Sequence, residues 1–231
     1  MDDNLSTGIP RLDDRLSGGL APGSLLALVA EPSMQSEALL YEMMEARPTL
    51  YMTTLRDPEA VENDLERAVD EEFFVEYAGE SQTLDNDLLK EMTGTRSFTS
   101  SFTDVESELD TVYETVGKVD RQLNMIVDPV NPLEEAENKG TYREVLNQLK
   151  TTALETGGIG ILHCLTHEGS PPFRDLTLTF ADIVLDLDLV TLTNDMEYQL
   201  TIPKNRGGKP VLEQTSIVVD SDVWIDDSRN I

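Results

Sequence analysis

The strongest constraint on this chain is an alternation. Short apolar runs at 24–30, 49–54, 73–77, 124–128 and 159–165 are separated by stretches with helical spacing. A chain that inserts a helix between successive strands builds a mainly parallel sheet with crossovers on its faces. Ser24-Leu25-Leu26-Ala27-Leu28-Val29-Ala30 is almost wholly apolar, as a strand covered on both sides requires. Leu39, Leu40, Met43 and Met44 then recur at helical spacing. Asp57-Pro58 reads as an N-cap with proline in the first turn, opening a helix that carries Val61, Leu65 and Ala68. Val105, Leu109, Val112, Val116, Val119 and Leu123 are spaced by three or four, which predicts one long helix capped by Asp104. Tyr142, Val145, Leu146, Leu149 and Ala153 predict another, stopped by Gly157-Gly158. Pro129 and Pro132 read as breaks.

The style changes near residue 180. Ile183, Leu185, Leu187 and Leu189 alternate with Val184, Asp186 and Asp188, and Tyr198, Leu200 and Ile202 alternate with polar neighbours. With 211–219, these read as three strands of an antiparallel meander. The chain of 231 residues suits a single domain, with an entry segment at 1–23, an α/β core at 24–180, and a meander with an acidic tail at 181–231. Residues 93–103 read as a polar, turn-rich loop. The patch around Trp224 reads as docking the C-terminus onto the body.

Asp and Glu number 45 against 17 Lys and Arg, a net charge of −28. Such a surface repels phosphates, which argues against nucleic acid and anionic membrane as partners. Spread along the chain, the acid predicts a surface hydrated in strong salt and a haloarchaeal source. Cys164 is the only cysteine, which fits a reducing cytoplasm. No apolar run is long enough to span a membrane, and the acidic start does not read as a signal peptide, so the expected location is cytoplasmic.

A loop from a first strand into a helix is the natural place for a phosphate. Here it reads Glu31-Pro32-Ser33-Met34-Gln35-Ser36-Glu37-Ala38. Upstream, Ser6-Thr7-Gly8-Ile9-Pro10, Leu12-Asp13, Gly18-Gly19-Leu20 and Pro22-Gly23-Ser24 resemble the entry segment of KaiC/RadA-type members of the RecA-like ATPases. The resemblance implies a RecA-like P-loop NTPase fold: a mainly parallel central sheet, helices on both faces, and a C-terminal antiparallel extension. On that pattern the phosphate-loop (Walker A) glycines fall on Glu31, Met34 and Ser36. The phosphate-binding lysine falls on Glu37, and the magnesium-binding hydroxyl on Ala38. A carboxylate in the lysine's place turns attraction into repulsion, a change of roughly one to four kcal/mol per charge pair. The family's metal-side aspartate falls on Asp128, which reads equally well as a strand-end acid before Pro129. The stretch Thr53-Thr54-Leu55-Arg56-Asp57 has no glutamate to activate water, so no general base is evident.

One segment stays on pattern. Pro203-Lys204-Asn205-Arg206-Gly207 resembles the family's Lys-x-Arg-Gly, whose basic pair reaches the nucleotide of a neighbouring subunit. Lys204, Arg206 and Lys209 stand in 203–210 without an acid, a plausible contact for an anion or an acidic partner or, equally, a solubilised hairpin turn. His163, Cys164 and His167 are poor metal or nucleophile candidates. His163 and Cys164 lie on opposite faces of a strand, and there is no second cysteine. Cys164 reads as a buried core residue.

The sequence therefore predicts a non-catalytic relative of KaiC/RadA ATPases, with no catalytic residues, metal or cofactor. It would act as a regulatory or binding subunit, partnered by a homologous RecA/KaiC-like ATPase or by its own copies through the sheet-edge interfaces that the resemblance implies. Two alternatives stand beside it. One is an unconventional ATPase that holds Mg-ATP through amides near Ser33–Ser36. The other is an accessory factor in DNA recombination or transcription, which the charge opposes.

Overall fold

A computed structural model describes residues 4–78, 105–166, 169–192, 195–219 and 223–225. In chain order the elements are α1 (Pro10–Arg15), β1 (Leu25–Ala30), α2 (Glu37–Glu45), β2 (Thr49–Thr53), α3 (Pro58–Ala68), β3 (Phe73–Tyr77), α4 (Val105–Gly117) and β4 (Asn124–Asp128). They continue as α5 (Asn131–Glu134), α6 (Lys139–Thr156), β5 (Ile159–Leu165), α7 (Arg174–Phe180), β6 (Ile183–Leu192), β7 (Asp195–Asn205), β8 (Val211–Val219) and β9 (Val223–Ile225). They form one sheet in the order β3-β2-β4-β5-β1-β6-β7-β8-β9. Pairing is parallel from β3 through β6 and antiparallel from β6 to β9. This is the mixed α/β architecture that the alternation predicts, with the meander longer by one strand.

Each face of the sheet carries its own core. Alternation sends Leu26, Leu28, Ile126, Ile161 and Tyr51 to one face, where the apolar sides of α1, α2 and α3 cover them. It sends Leu25, Ala27, Met125, Val127, Leu162 and Cys164 to the other, under α4 and α6. Asp57 caps α3 by accepting from the Ala60 amide at 3.1 Å. Gly157 ends α6 at φ 71°, a left-handed position that glycine adopts without strain.

Two expectations need correction. The helix read as running to Leu123 stops at Gly117; its last turn tightens through i→i+3 bonds at Lys118 and Val119. Val119 and Leu123 fall in the connection, because the chain must leave the helix in time to enter β4 at Asn124. Pro132 does not break structure; it lies in the first turn of α5, where its missing N–H costs nothing. The short helices α1, α5 and α7 escaped notice, being too brief for a periodic signal. A buried ion pair holds α5 to α7: Arg174 Nε donates to both oxygens of Glu134 at 2.9 Å, and Arg174 also donates to the Leu165 carbonyl. The 93–103 loop, Asp104 and the acidic tail lie outside the described residues. Trp224 is placed only by its backbone, in β9 beside β8.

Glu108, on α4, is buried, and its Oε2 has no hydrogen-bond partner among the described residues. Burial pushes its carboxyl up to about 7. A raised folded value means that the native state binds this proton more tightly than the unfolded chain does. Stability therefore falls as pH rises from about 4.5 through 7. Glu108→Gln is expected to match the wild type near pH 4.5 and to exceed it by ~1–3 kcal/mol at pH 8. Urea unfolding of the two proteins at both pH values checks this.

Candidate functional site

The strand order places the ends of β2, β4, β5 and β1 side by side. Above them runs the loop 31–36 that leads into α2. Residues of one alternation parity point to the α2 face: Tyr51 on β2, Asp128 at the end of β4, and His163 on β5 beside Leu28 of β1. Ser36, at the N-cap position of α2, arrives from above.

These four side chains form one continuous hydrogen-bonded chain. Ser36 Oγ lies 2.9 Å from His163 Nε2, and His163 Nδ1 lies 2.5 Å from Asp128 Oδ1. The Tyr51 hydroxyl donates to the other oxygen, Asp128 Oδ2. An ionised carboxylate only accepts, so Nδ1 carries a proton; in a neutral ring Nε2 then accepts from the Ser36 hydroxyl. Ser36 and His163 are 0% exposed and Asp128 is 3% exposed. Burial alone would raise the Asp128 carboxyl, but the hydrogen bonds from His163 and Tyr51, helped by Arg56, hold it below its ordinary value. Burial and the neighbouring Asp128 push the Tyr51 hydroxyl well up, so it remains a donor. Arg56 approaches from the loop after β2, paired with Asp64 and electrostatically favoured by Tyr41.

The rest of the loop is a tight turn. The Met34 amide donates to Glu31 O at 3.0 Å, and the Ala38 amide to Gln35 O at 3.2 Å. Met34 turns inward and packs in the core, whereas Glu31, Ser33 and Gln35 are exposed. Glu37 stands in the first turn of α2, where a carboxylate complements the helix dipole. Ala38 is half-buried and packs against the core. The structure thus brings Ser36 and Asp128 together through a residue that sequence reasoning had weighed only as a metal ligand or a base for Cys164. Cys164 lies in the opposite core, fully buried, its thiol pushed up to about 12 by that burial. His167 lies outside the described residues.

The basic segment is elsewhere, at the other end of the strands. Lys204 Nζ donates to the carbonyls of Leu178 at 2.6 Å and Thr179 at 3.1 Å, and an Arg206 guanidinium nitrogen donates to Thr179 O at 2.7 Å. Both cations therefore sit on the C-terminus of α7, where unpaired carbonyls and the helix dipole favour positive charge. Burial and the nearby Arg206 lower the Lys204 ammonium somewhat. Lys209 is exposed, and the Arg206 side chain remains 55% exposed.

Residues 4–231 match a family of unknown function, DUF7125. No curated protein sequence matches the chain. Among solved structures, a KaiC-like protein from the hyperthermophilic archaeon Pyrococcus horikoshii superposes with a TM-score of 0.66 at 16% identity. The match covers 98% of this chain and 100% of that one. At that identity the likeness establishes the fold, which is KaiC-like and RecA-like. Among the described residues, no helix is long and apolar enough to cross a membrane.

Removing the imidazole strands a buried carboxylate. His163→Ala is expected to cost ~3–5 kcal/mol, and Tyr51→Phe, which leaves the His163 bond in place, ~1–2 kcal/mol. Chemical denaturation at neutral pH measures both; a His163→Ala cost under about 1 kcal/mol would mean that the chain of bonds contributes little.

Proposed function

We propose that this chain, which belongs to the family DUF7125, uses its RecA-like ATPase fold as a non-catalytic regulatory or binding subunit. The observation that carries the proposal is the state of Asp128. Magnesium triphosphate at this mouth needs a free carboxylate, a hydroxyl for the metal, an ammonium for the phosphates and bare backbone amides. Both oxygens of Asp128 are engaged, one by His163 and the other by Tyr51. Ala38 offers a methyl group, Glu37 a negative charge, and Met34 a side chain packed beneath the loop. These residues do not fit the nucleotide, and the stretch Thr53–Asp57 after β2 holds only one carboxylate, Asp57, which caps α3.

A subunit of this kind works through its surface. A homologous RecA/KaiC-like ATPase, or a second copy of this chain, is the partner that the fold suits. Of the basic segment, Lys204 is committed to its own α7, whereas Arg206 bonds Thr179 there and pairs with Asp182 but keeps its side chain 55% exposed. Contact with an acidic partner or a partner-bound anion therefore falls to the exposed Lys209 and the outer face of Arg206. Nucleic acid is disfavoured by the net charge of −28. The cytoplasm is the proposed location, on the lone buried cysteine.

Calorimetric titration with Mg-ATP in molar KCl is expected to give no saturable heat. Saturable binding that disappears in a still-folded Ser36→Phe variant would favour the unconventional ATPase instead. For the partner role, a RecA-like ATPase is expected to co-purify with this chain from its native lysate, and Arg206→Ala combined with Lys209→Ala to weaken that association at least fivefold. Unchanged affinity and an unchanged partner ATPase rate would remove that role.

A further inference from the structure

The loop 31–36 is held to the body at two points. Met34 is 4% exposed and packs in the core, while Ser36 is fully buried with its hydroxyl on His163. The turn bond from the Met34 amide and the contact from Ser33 Oγ to Glu31 both stay within the loop and do not anchor it. On the body side, His163 is fixed by Asp128, and Asp128 in turn by Tyr51. A single side-chain hydrogen bond thus joins a two-residue turn anchor to a buried chain that spans three strands.

We propose that this bond is a latch. His163 holds the loop shut through Ser36, and its release frees residues 31–36 as a unit, bringing Met34 out of the core and baring the first amides of α2 at the mouth of the sheet. The parts of the device divide cleanly. The body end is over-determined: His163 pairs with Leu28 inside the β1–β5 ladder, one residue past the last β4–β5 pair, its carbonyl accepts the Val130 amide, and Asp128 ends β4 beside it. The loop end is held by less: it crosses no strand, and beside the packed Met34 side chain it contributes one hydroxyl. Breaking the Ser36 bond therefore loosens the loop and leaves the sheet intact. The latch does not depend on the non-catalytic reading; it describes how the loop is held whether or not the chain meets nucleotide or a partner.

The test uses Ser36→Ala, which removes the hydroxyl with little change in volume, on the full-length protein. Amide hydrogen exchange at residues 34–39 is expected to speed up at least ~tenfold, the scale of one lost buried hydrogen bond. Amides of β1, β4 and β5 are expected to keep their wild-type rates. A second readout uses the chain's own cysteine as a silent reference, because the Cys164 thiol is buried and pushed up to about 12. In a Met34→Cys background, adding Ser36→Ala is expected to accelerate thiol labelling at position 34 at least ~tenfold while Cys164 stays unlabelled. Equal exchange at 34–39 in wild type and Ser36→Ala would overturn the latch. So would labelling of Cys164 that rises in step with position 34, since that reports opening of the whole fold.

Discussion

The need to satisfy one buried carboxylate organises the upper end of this molecule. Asp128 ends a central strand with both faces of the sheet covered, and an ionised group there costs several kcal/mol unless it is paired and fully hydrogen-bonded. The strand order supplies the donors. β2 lies on one side of β4 and brings the Tyr51 hydroxyl; β5 lies on the other and brings the His163 ring. Once Nδ1 is committed to Asp128, Nε2 needs a partner of its own, and the one that reaches it is Ser36 at the start of α2. The position of the loop follows from the requirements of the acid, through two further residues.

The same logic explains where the scarce cations go. Arg174 neutralises Glu134 inside the joint between α5 and α7. Lys150 bonds the Gly23 carbonyl and Asp182, and Asp182 accepts the Leu25 amide, which ties the starts of β1 and β6 together. Arg47 reaches Asn124 at 2.6 Å and the Ser6 carbonyl, pinning the entry segment to the start of β4. Lys204 and Arg206 close α7. These joints take five of the 17 basic side chains, while among the described residues Glu108, Asp128 and Glu134 are the acids that are buried. Salt screens an exposed acidic surface within several Å but weakens buried pairs far less, so the joints and the surface answer differently to ionic strength.

How much of this was legible in the sequence varied with the range of the interaction. Strand and helix types came from local periodicity, and the caps at Asp57 and Gly157 from local chemistry. The stripe through Leu123 misled because a helix and the turn that follows it can share spacing by chance, and only the start of β4 fixes the boundary. The buried chain at the site was half-visible. His163 shares parity with Ile159 and Ile161, and Asp128 with Ile126, so the pattern put each on a definite face. That the two faces coincide depends on β4 and β5 being neighbours in the sheet. Sequence adjacency had drawn His163 toward Cys164 and His167, whereas its partners lie 35 and 127 residues away. Lys204 was found by composition, but its role as a helix cap depends on α7, which is too short to read.

On the proposed reading, the losses at the phosphate loop and the gain of the imidazole are one physical event. An aspartate that has lost its metal and metal-side hydroxyl becomes a buried, unpaired acid, which the fold cannot carry without new donors. His163 and Tyr51, by engaging both oxygens of Asp128, in turn make any metal compete with two buried hydrogen bonds for the carboxylate. Each change makes the other stable. It follows that Glu37 and Ala38 are not independent defects awaiting repair. A lysine and a threonine restored at those positions would still face an aspartate with both oxygens occupied and a loop fastened by Ser36, so the barrier to nucleotide lies in the buried chain as much as in the sign of the charge at its rim.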